Sequence, residues 1–224
     1  MLAAADFFDL GEFAHRDLFA GLTYVWEALP RLAEYLRAHL QPGIEGTVMP
    51  HAFVGERVFV GEGTVVEPGA CILGPAIIGR DCQVRAGAYV RENVIAGDGA
   101  VLGHASEFKN CVLLNRAGAP HFNYVGDSLL GADTNLGAGT KLSNVKVVGS
   151  TVTVTVEGRD YDTGLRKFGA VLGDGAQTGC GAVLNPGTLV GKRSLIYPLT
   201  SVRGYIPPDS IVKLRQAVEV EARR

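Results

Sequence analysis

From Val48 onward a large apolar residue recurs at every sixth position: Val48, Val54, Val60, Val66, Ile72, Ile78, Val84, Val90, Ala96, Leu102, Phe108 and Leu114, with Ala96 the one small member. Four places after each of the first eleven, the residue is never larger than valine, as at Ala52, Thr64, Ala76, Ala88 and Ser106. Neither a helical nor a simple alternating period produces this. The frame resumes at Val125, slips by one at Leu130 and continues through Leu136 and Leu142. It runs again from Leu172 through Thr178, Leu184, Val190 and Ile196 to Val202. Such a pattern predicts an all-β solenoid over 43–207. Three hexads make one coil of three short strands, the large residue points inward, and the small one fits beneath it near the corner.

The segments outside the frame predict other elements. Leu18, Leu22, Val25, Leu29, Leu32, Leu36 and Leu40 form a stripe at helical spacing. Pro30 should divide it into two helices, as the first residue of the second. Residues 1–42 are therefore expected to be a helical cap, covering the open end of the solenoid or packing between subunits. From Ser210 the tail, within 208–224, reads as a short amphipathic helix. Over 145–169, Val152, Val154 and Val156 alternate with threonines before the turn residues EGRDYDTG. That predicts a hairpin excursion leaving the prism. The frame also fails at NRAGAPHFNY (115–124), which predicts a polar loop.

Composition sharpens this picture. Glycine accounts for 30 of 224 residues, well above the usual share of about 7%. Eleven glycines follow the inward apolar residue and eight fall two places later, which assigns them to turns. A net charge of −2 gives no general attraction to nucleic acid. Cys71, Cys82, Cys111 and Cys180 form no CxxC pair, which suits a reducing compartment. With no basic start leading into a long apolar run, neither a signal peptide nor a membrane span is expected, and the cytoplasm is the expected location.

Candidate chemistry starts at His121, inside the segment where the frame fails. Histidine is the usual side chain for moving protons near neutral pH. His15 and His39 belong to the helical region, His51 to the first coil and His104 to a regular hexad. The chain has no HxxxxH, so the three-histidine zinc site of γ-class carbonic anhydrases, which share this prism, is not expected and no metal is assigned. Arg91 and Lys109 lie one coil apart, which stacks two cations suited to a phosphate. Glu107 shares their coil.

The stretch HFNYVGDSLLGADTNLGAGTKLSN (121–144), with SEFKN (106–110) before it and RKFGAVLGD (166–174) after the hairpin, resembles the acetyltransferase domain of bifunctional N-acetylglucosamine-1-phosphate uridyltransferases. It is most similar to the versions on archaeal-type sugar-1-phosphate nucleotidylyltransferases, and the likeness covers roughly 48–207. The resemblance implies a left-handed parallel β-helix of hexapeptide repeats, a homotrimer with sites between subunits, and acetyl-CoA as co-substrate. The acceptor it implies is an amino-sugar 1-phosphate, glucosamine 1-phosphate first, in nucleotide-sugar biosynthesis. His121 falls on the family's general base, Glu107 on a residue positioning it, and Asn144 on the asparagine near the reacting groups, a candidate for stabilising the oxyanion. Arg91, Lys109 and Lys167 fall on phosphate contacts, and Tyr124 and Asn135 on sugar contacts. Cys180, where the family has a serine, and Pro198 fall on the coenzyme side. Val145 replaces a family tyrosine, and the basic tail is matched only loosely by Lys213, Arg215, Arg223 and Arg224. The first 47 residues hold no G-x-G-T-R-x-x-P loop, so nucleotide transfer is not expected of this chain, and a separate nucleotidyltransferase is a candidate partner. Two alternatives stay open: galactosamine 1-phosphate as acceptor, or a non-catalytic sugar-phosphate-binding or regulatory subunit.

Overall fold

A computed structural model describes residues 2–215, 217 and 219–221. The hexads fold into the solenoid that their spacing predicts, a parallel β-helix. Its strands form three sheets of nine, nine and eight strands, and within each sheet every neighbour lies one coil away. The first face starts at Gly43–Ile44, the second at Thr47–Val48 and the third at Phe53–Val54. Inward residues register in columns, Ile78 under Ala96, Val84 under Leu102 and Val90 under Phe108. They fill one continuous internal core. Small polar residues at its corners are satisfied: the Thr64 hydroxyl donates to the Gly79 carbonyl at 2.7 Å and accepts the Cys82 N–H at 2.8 Å. No helix among the described residues is long and apolar enough to cross a membrane.

The frame slips earlier than the hexads indicate. Ala96 pairs with Leu113, Leu102 with Ala119 and Phe108 with Val125, so this coil is one residue short. Leu113 is therefore the inward residue, and Leu114 turns outward. Nor is 115–124 a loop. Gly118–His121 is a strand of the second face, with His104 opposite His121. Dropping one residue breaks the sequence pattern yet leaves the strand ladder continuous, because register is set coil by coil.

The glycines divide by physical cause. Gly87, three places after the inward Val84, has φ 73° and supplies a left-handed corner. Gly61, directly after Val60, is not left-handed. A Cβ there would lie 2.6 Å from the Gly79 carbonyl oxygen of the next coil, so the requirement is for close approach rather than a turn.

The first face carries a second apolar column, on its outside. Phe59, Ile77, Ile95, Val112, Leu129, Val171, Leu189 and Tyr205 follow one another in register. Phe7, Phe8, Trp26, Leu29, Leu32 and Leu36 pack on this column and form a second core with it. The N-terminal segment contains a short helix Ala4–Phe7, 3-10 turns at Arg16–Phe19 and Val25–Glu27, and one longer helix, Ala28–His39. Pro30 is the third residue of that helix, still within the turn where a missing N–H is tolerated. The expected end cap is therefore a lateral cover, because the exposed apolar column lies along the side of the prism.

The 145–169 excursion joins the same layer. Thr153–Val156 and Arg159–Asp162 pair antiparallel through a turn at Glu157 and Gly158, both left-handed at φ 51° and 80°. Val152, Val154 and Val156 are buried in the second core, and Tyr161 meets Tyr24 edge-on. The hairpin does not leave the prism: its valine side needs an apolar partner, and the first face provides one. At the other end, Ile211–Val212 is a strand paired with Leu195–Ile196, and Val212 packs on the internal core. The helix expected from Ser210 is thus replaced by one more strand. Lys213–Arg215 are not helical, and Arg223 and Arg224 lie outside the described residues.

Candidate active site

The third face and its two corners hold most of the predicted site residues. Along each strand of this face alternate side chains point outward. Glu107 lies between Tyr89 and Tyr124, and Lys109 sits opposite Gly126. Arg91 follows Val90, which pairs with Phe108, so Arg91 and Lys109 stack as their spacing predicts. Arg91 donates to the Glu107 carboxylate at 2.9 Å and meets Glu92 at 3.5 Å. The Glu107 hydrogen bond is the main reason its guanidinium is held above the ordinary arginine range. Both partners are about one-third exposed, so the pair contributes only about 0–1 kcal/mol and an incoming anion can displace Glu107 cheaply.

At the corner leading from the third to the first face, a tighter network forms. Lys109 Nζ lies 3.6 Å from Asp127 Oδ2. Asn144 Nδ2 donates to the same oxygen at 2.5 Å and to the Tyr124 hydroxyl at 3.2 Å. Asn110 Nδ2 donates to Asp127 Oδ1 at 2.9 Å. Gly126 makes room for it, since a Cβ there would lie 2.6 Å from the Tyr124 oxygen and 2.8 Å from Asn144 Nδ2. Burial chiefly, then the charges of Glu107 and Asp127, push the Tyr124 phenol above its ordinary value, so it stays a protonated donor. Lys167 stands beside this network in the chain, because the next residue, Phe168, donates its N–H to the Asn144 carbonyl at 2.9 Å.

The opposite corner, from the second to the third face, carries the other group. His104, His121, Ala138, Cys180 and Pro198 occupy successive coils of one ridge. The N–H of Phe122 donates to the His104 carbonyl, that of Gly139 to His121, that of Gly181 to Ala138 and that of Leu199 to Cys180, at 2.8–3.0 Å. Coils repeat at the strand spacing of about 4.8 Å, which puts Cys180 roughly 10 Å and Pro198 roughly 14 Å along the ridge from His121. The backbone N–H of His121 donates to Asn123 Oδ1 at 3.0 Å, while among the described residues its imidazole makes no hydrogen bond. Glu107, engaged by Arg91, makes none to His121.

Within one chain, the structure therefore brings Arg91, Glu107, Lys109, Tyr124 and Asn144 together, and places His121, Cys180 and Pro198 on a shared ridge across the same face. Asn135 lies elsewhere, on the second face between Gly118 and Gln177. Asp127, Asn110 and Gly126 are the residues that sequence reasoning passes over, although FNYVGD and FKN spell them out. Among the described residues, no group of three or more His, Cys, Asp or Glu side chains could hold a metal ion.

Fold and site together define a hexapeptide-repeat β-helix protein with a polar face lined by ion pairs, a phenol hydroxyl and amides. The GMPPB C-terminal domain family matches residues 72–158. The bifunctional protein GlmU of Methanococcus vannielii is 31% identical over 198 residues, 88% of this chain and 47% of that protein. The bifunctional sugar-1-phosphate nucleotidylyltransferase/acetyltransferase of Sulfurisphaera tokodaii is 32% identical over 151 residues, 59% of this chain and 38% of that protein. The chain is a homologue of these bifunctional proteins, and it spans about half the length of the curated relatives it matches. Among solved structures, a mutant perosamine N-acetyltransferase from Caulobacter crescentus, in complex with CoA and GDP-perosamine, covers 83% of this chain and 59% of its own at 17% identity. Its TM-score is 0.30, too loose an overlay to bear on the site.

Proposed function

We propose that this chain transfers the acetyl group of acetyl-CoA to the amine of an amino-sugar 1-phosphate, with glucosamine 1-phosphate the first candidate. The observation that carries this is the third-face network: two stacked cations, a protonated phenol and an oriented amide, with an unencumbered imidazole across the same face. The amine nitrogen attacks the thioester carbonyl carbon and His121 takes a proton from it. The carbon–sulfur bond then breaks and coenzyme A leaves as its thiolate, to be protonated. Arg91, Lys109 and Lys167 hold the phosphate, and Tyr124 orients the sugar. The ridge from His121 past Cys180 to Pro198 is the proposed track for the coenzyme, since a long thin molecule can lie along it.

A homotrimer completes the proposal. The first face is covered by the chain itself, whereas Phe53 and Tyr89 on the third face and Val65 on the second are exposed apolar residues. Packing the second face of one prism against the third face of another would bring Asn135 to the network it does not reach within its own chain. Work beside a separate nucleotidyltransferase in the cytoplasm is part of the same proposal.

The non-catalytic alternative is favoured by two observations: both cations already have carboxylate partners, and Val145 stands where the family has a tyrosine. A thiol-release assay with acetyl-CoA and a panel of glucosamine, galactosamine and N-acetylated sugar 1-phosphates separates the readings. Release confined to free amines supports transfer and ranks the epimers; no release with any of them leaves only the binding reading.

A further inference from the structure

Asp127 occupies a left-handed corner position at φ 47°, above Asn110 at φ 46°, and its N–H donates to the Lys109 carbonyl at 2.9 Å. Its carboxylate is only 5% exposed. Oδ1 accepts from Asn110, while Oδ2 accepts from Asn144 and faces the Lys109 ammonium. Its carbonyl accepts the N–H of Gly169 at 2.8 Å, so the strand returning from the hairpin is pinned at the same place. An ionised carboxylate only accepts hydrogen bonds, which fixes which end of the Asn144 amide faces it. Asn144 must turn Nδ2 inward. Its second N–H goes to the Tyr124 hydroxyl.

Both donors of Asn144 are therefore spent within the protein, and the polar atom left to a ligand is Oδ1, an acceptor. An oxyanion needs donors. We infer that Asp127 is a positioning residue of the proposed transfer: it turns Asn144 so that Oδ1 accepts an N–H or O–H of the acceptor sugar, and it holds Lys109 at the phosphate end. Asn144 is then no source of oxyanion stabilisation, which falls to backbone N–H groups. This inference rests on the acetyl-transfer reading for its function, and on the hydrogen-bond pattern alone for its geometry.

The test compares wild type, Asp127→Asn, and the exchanged pair Asp127→Asn with Asn144→Asp. Asp127→Asn frees the Asn144 amide to rotate and is expected to lower kcat by about 100-fold, the scale of a small misplacement in a reacting site, with KM for acetyl-CoA unchanged. In the exchanged pair, the amide introduced at position 127 and the Tyr124 hydroxyl donate to the carboxylate introduced at position 144, which still presents an acceptor outward. Its kcat is expected to recover to within about 10-fold of wild type, about 1.4 kcal/mol. An exchanged pair no better than the single variant, or a single variant with wild-type kcat, overturns the inference while acetyl transfer itself stands. A wild type inactive with every amine removes the transfer reading and this role together. Should Asp127→Asn fail to fold, hydrogen exchange at the Asn144 side-chain amide of the wild type decides: slow exchange is expected, and exchange as fast as in the surface amide of Asn135 overturns it.

Discussion

A coil spacing near 4.8 Å leaves no room for a side chain at Gly61, where the chain turns directly after the inward Val60 against the next coil. Gly61→Ala pushes a methyl against the Gly79 carbonyl and is expected to cost about 1–3 kcal/mol, the scale of an overpacked core. Gly158→Ala, at an open hairpin tip with nothing within 4 Å of the added carbon, pays only left-handed strain of about 1–2 kcal/mol. Denaturant midpoints at constant slope measure both, and a Gly61→Ala midpoint equal to wild type would contradict the requirement for close approach. At the site, Arg91→Ala removes an exposed ion pair and should leave the melting temperature unchanged. Its lost phosphate contact, about 1.5–3 kcal/mol for a charged hydrogen bond, should raise KM for the sugar phosphate by roughly 10- to 100-fold. The letters of this site are legible in the sequence, since motif and coil spacing together single out Arg91, Lys109, Tyr124 and Asn144. The direction of the Asn144 amide is not. It depends on a carboxylate one coil away, and spacing alone says nothing of which amide end faces it.

Among the elements, the hairpin shows the same division. Alternation of valine and threonine predicts two strands but not what covers the valines. The missing half of that information lies in every third hexad, where a second apolar residue precedes the inward one, as at Phe59–Val60, Ile77–Ile78 and Leu129–Leu130. That doubling marks the face on which the hairpin and the N-terminal segment settle. Inside this cover His15 packs against Phe13 and hydrogen-bonds the Tyr35 hydroxyl at 3.2 Å. Burial first, and the nearby His39 second, lower its pKa from the usual 6.5. In the unfolded chain it takes up a proton below that value while the folded segment resists, so stability is full above about pH 6.5 and falls below it. Thermal melts between about pH 7.5 and 5.5 should show this decline, and His15→Phe should flatten it. A slope unchanged by the substitution would assign the decline to other groups.

At the scale of the whole molecule, one covered face and two uncovered ones set the expected assembly. Light scattering is expected to give three copies for the wild type and a lower mass for Phe53→Glu with Val65→Glu, which places charges on both uncovered faces. An unchanged mass in the double variant would move the interface elsewhere. The chemistry itself is tested most directly by mass spectrometry of glucosamine 1-phosphate incubated with acetyl-CoA, comparing wild type with His121→Ala. The expected product is a sugar phosphate heavier by one acetyl group, formed about 100- to 10,000-fold more slowly by the folded variant, the range for loss of a general base. An acetylated product formed at equal rates by both proteins, or by neither, contradicts acetyl transfer with His121 as its base.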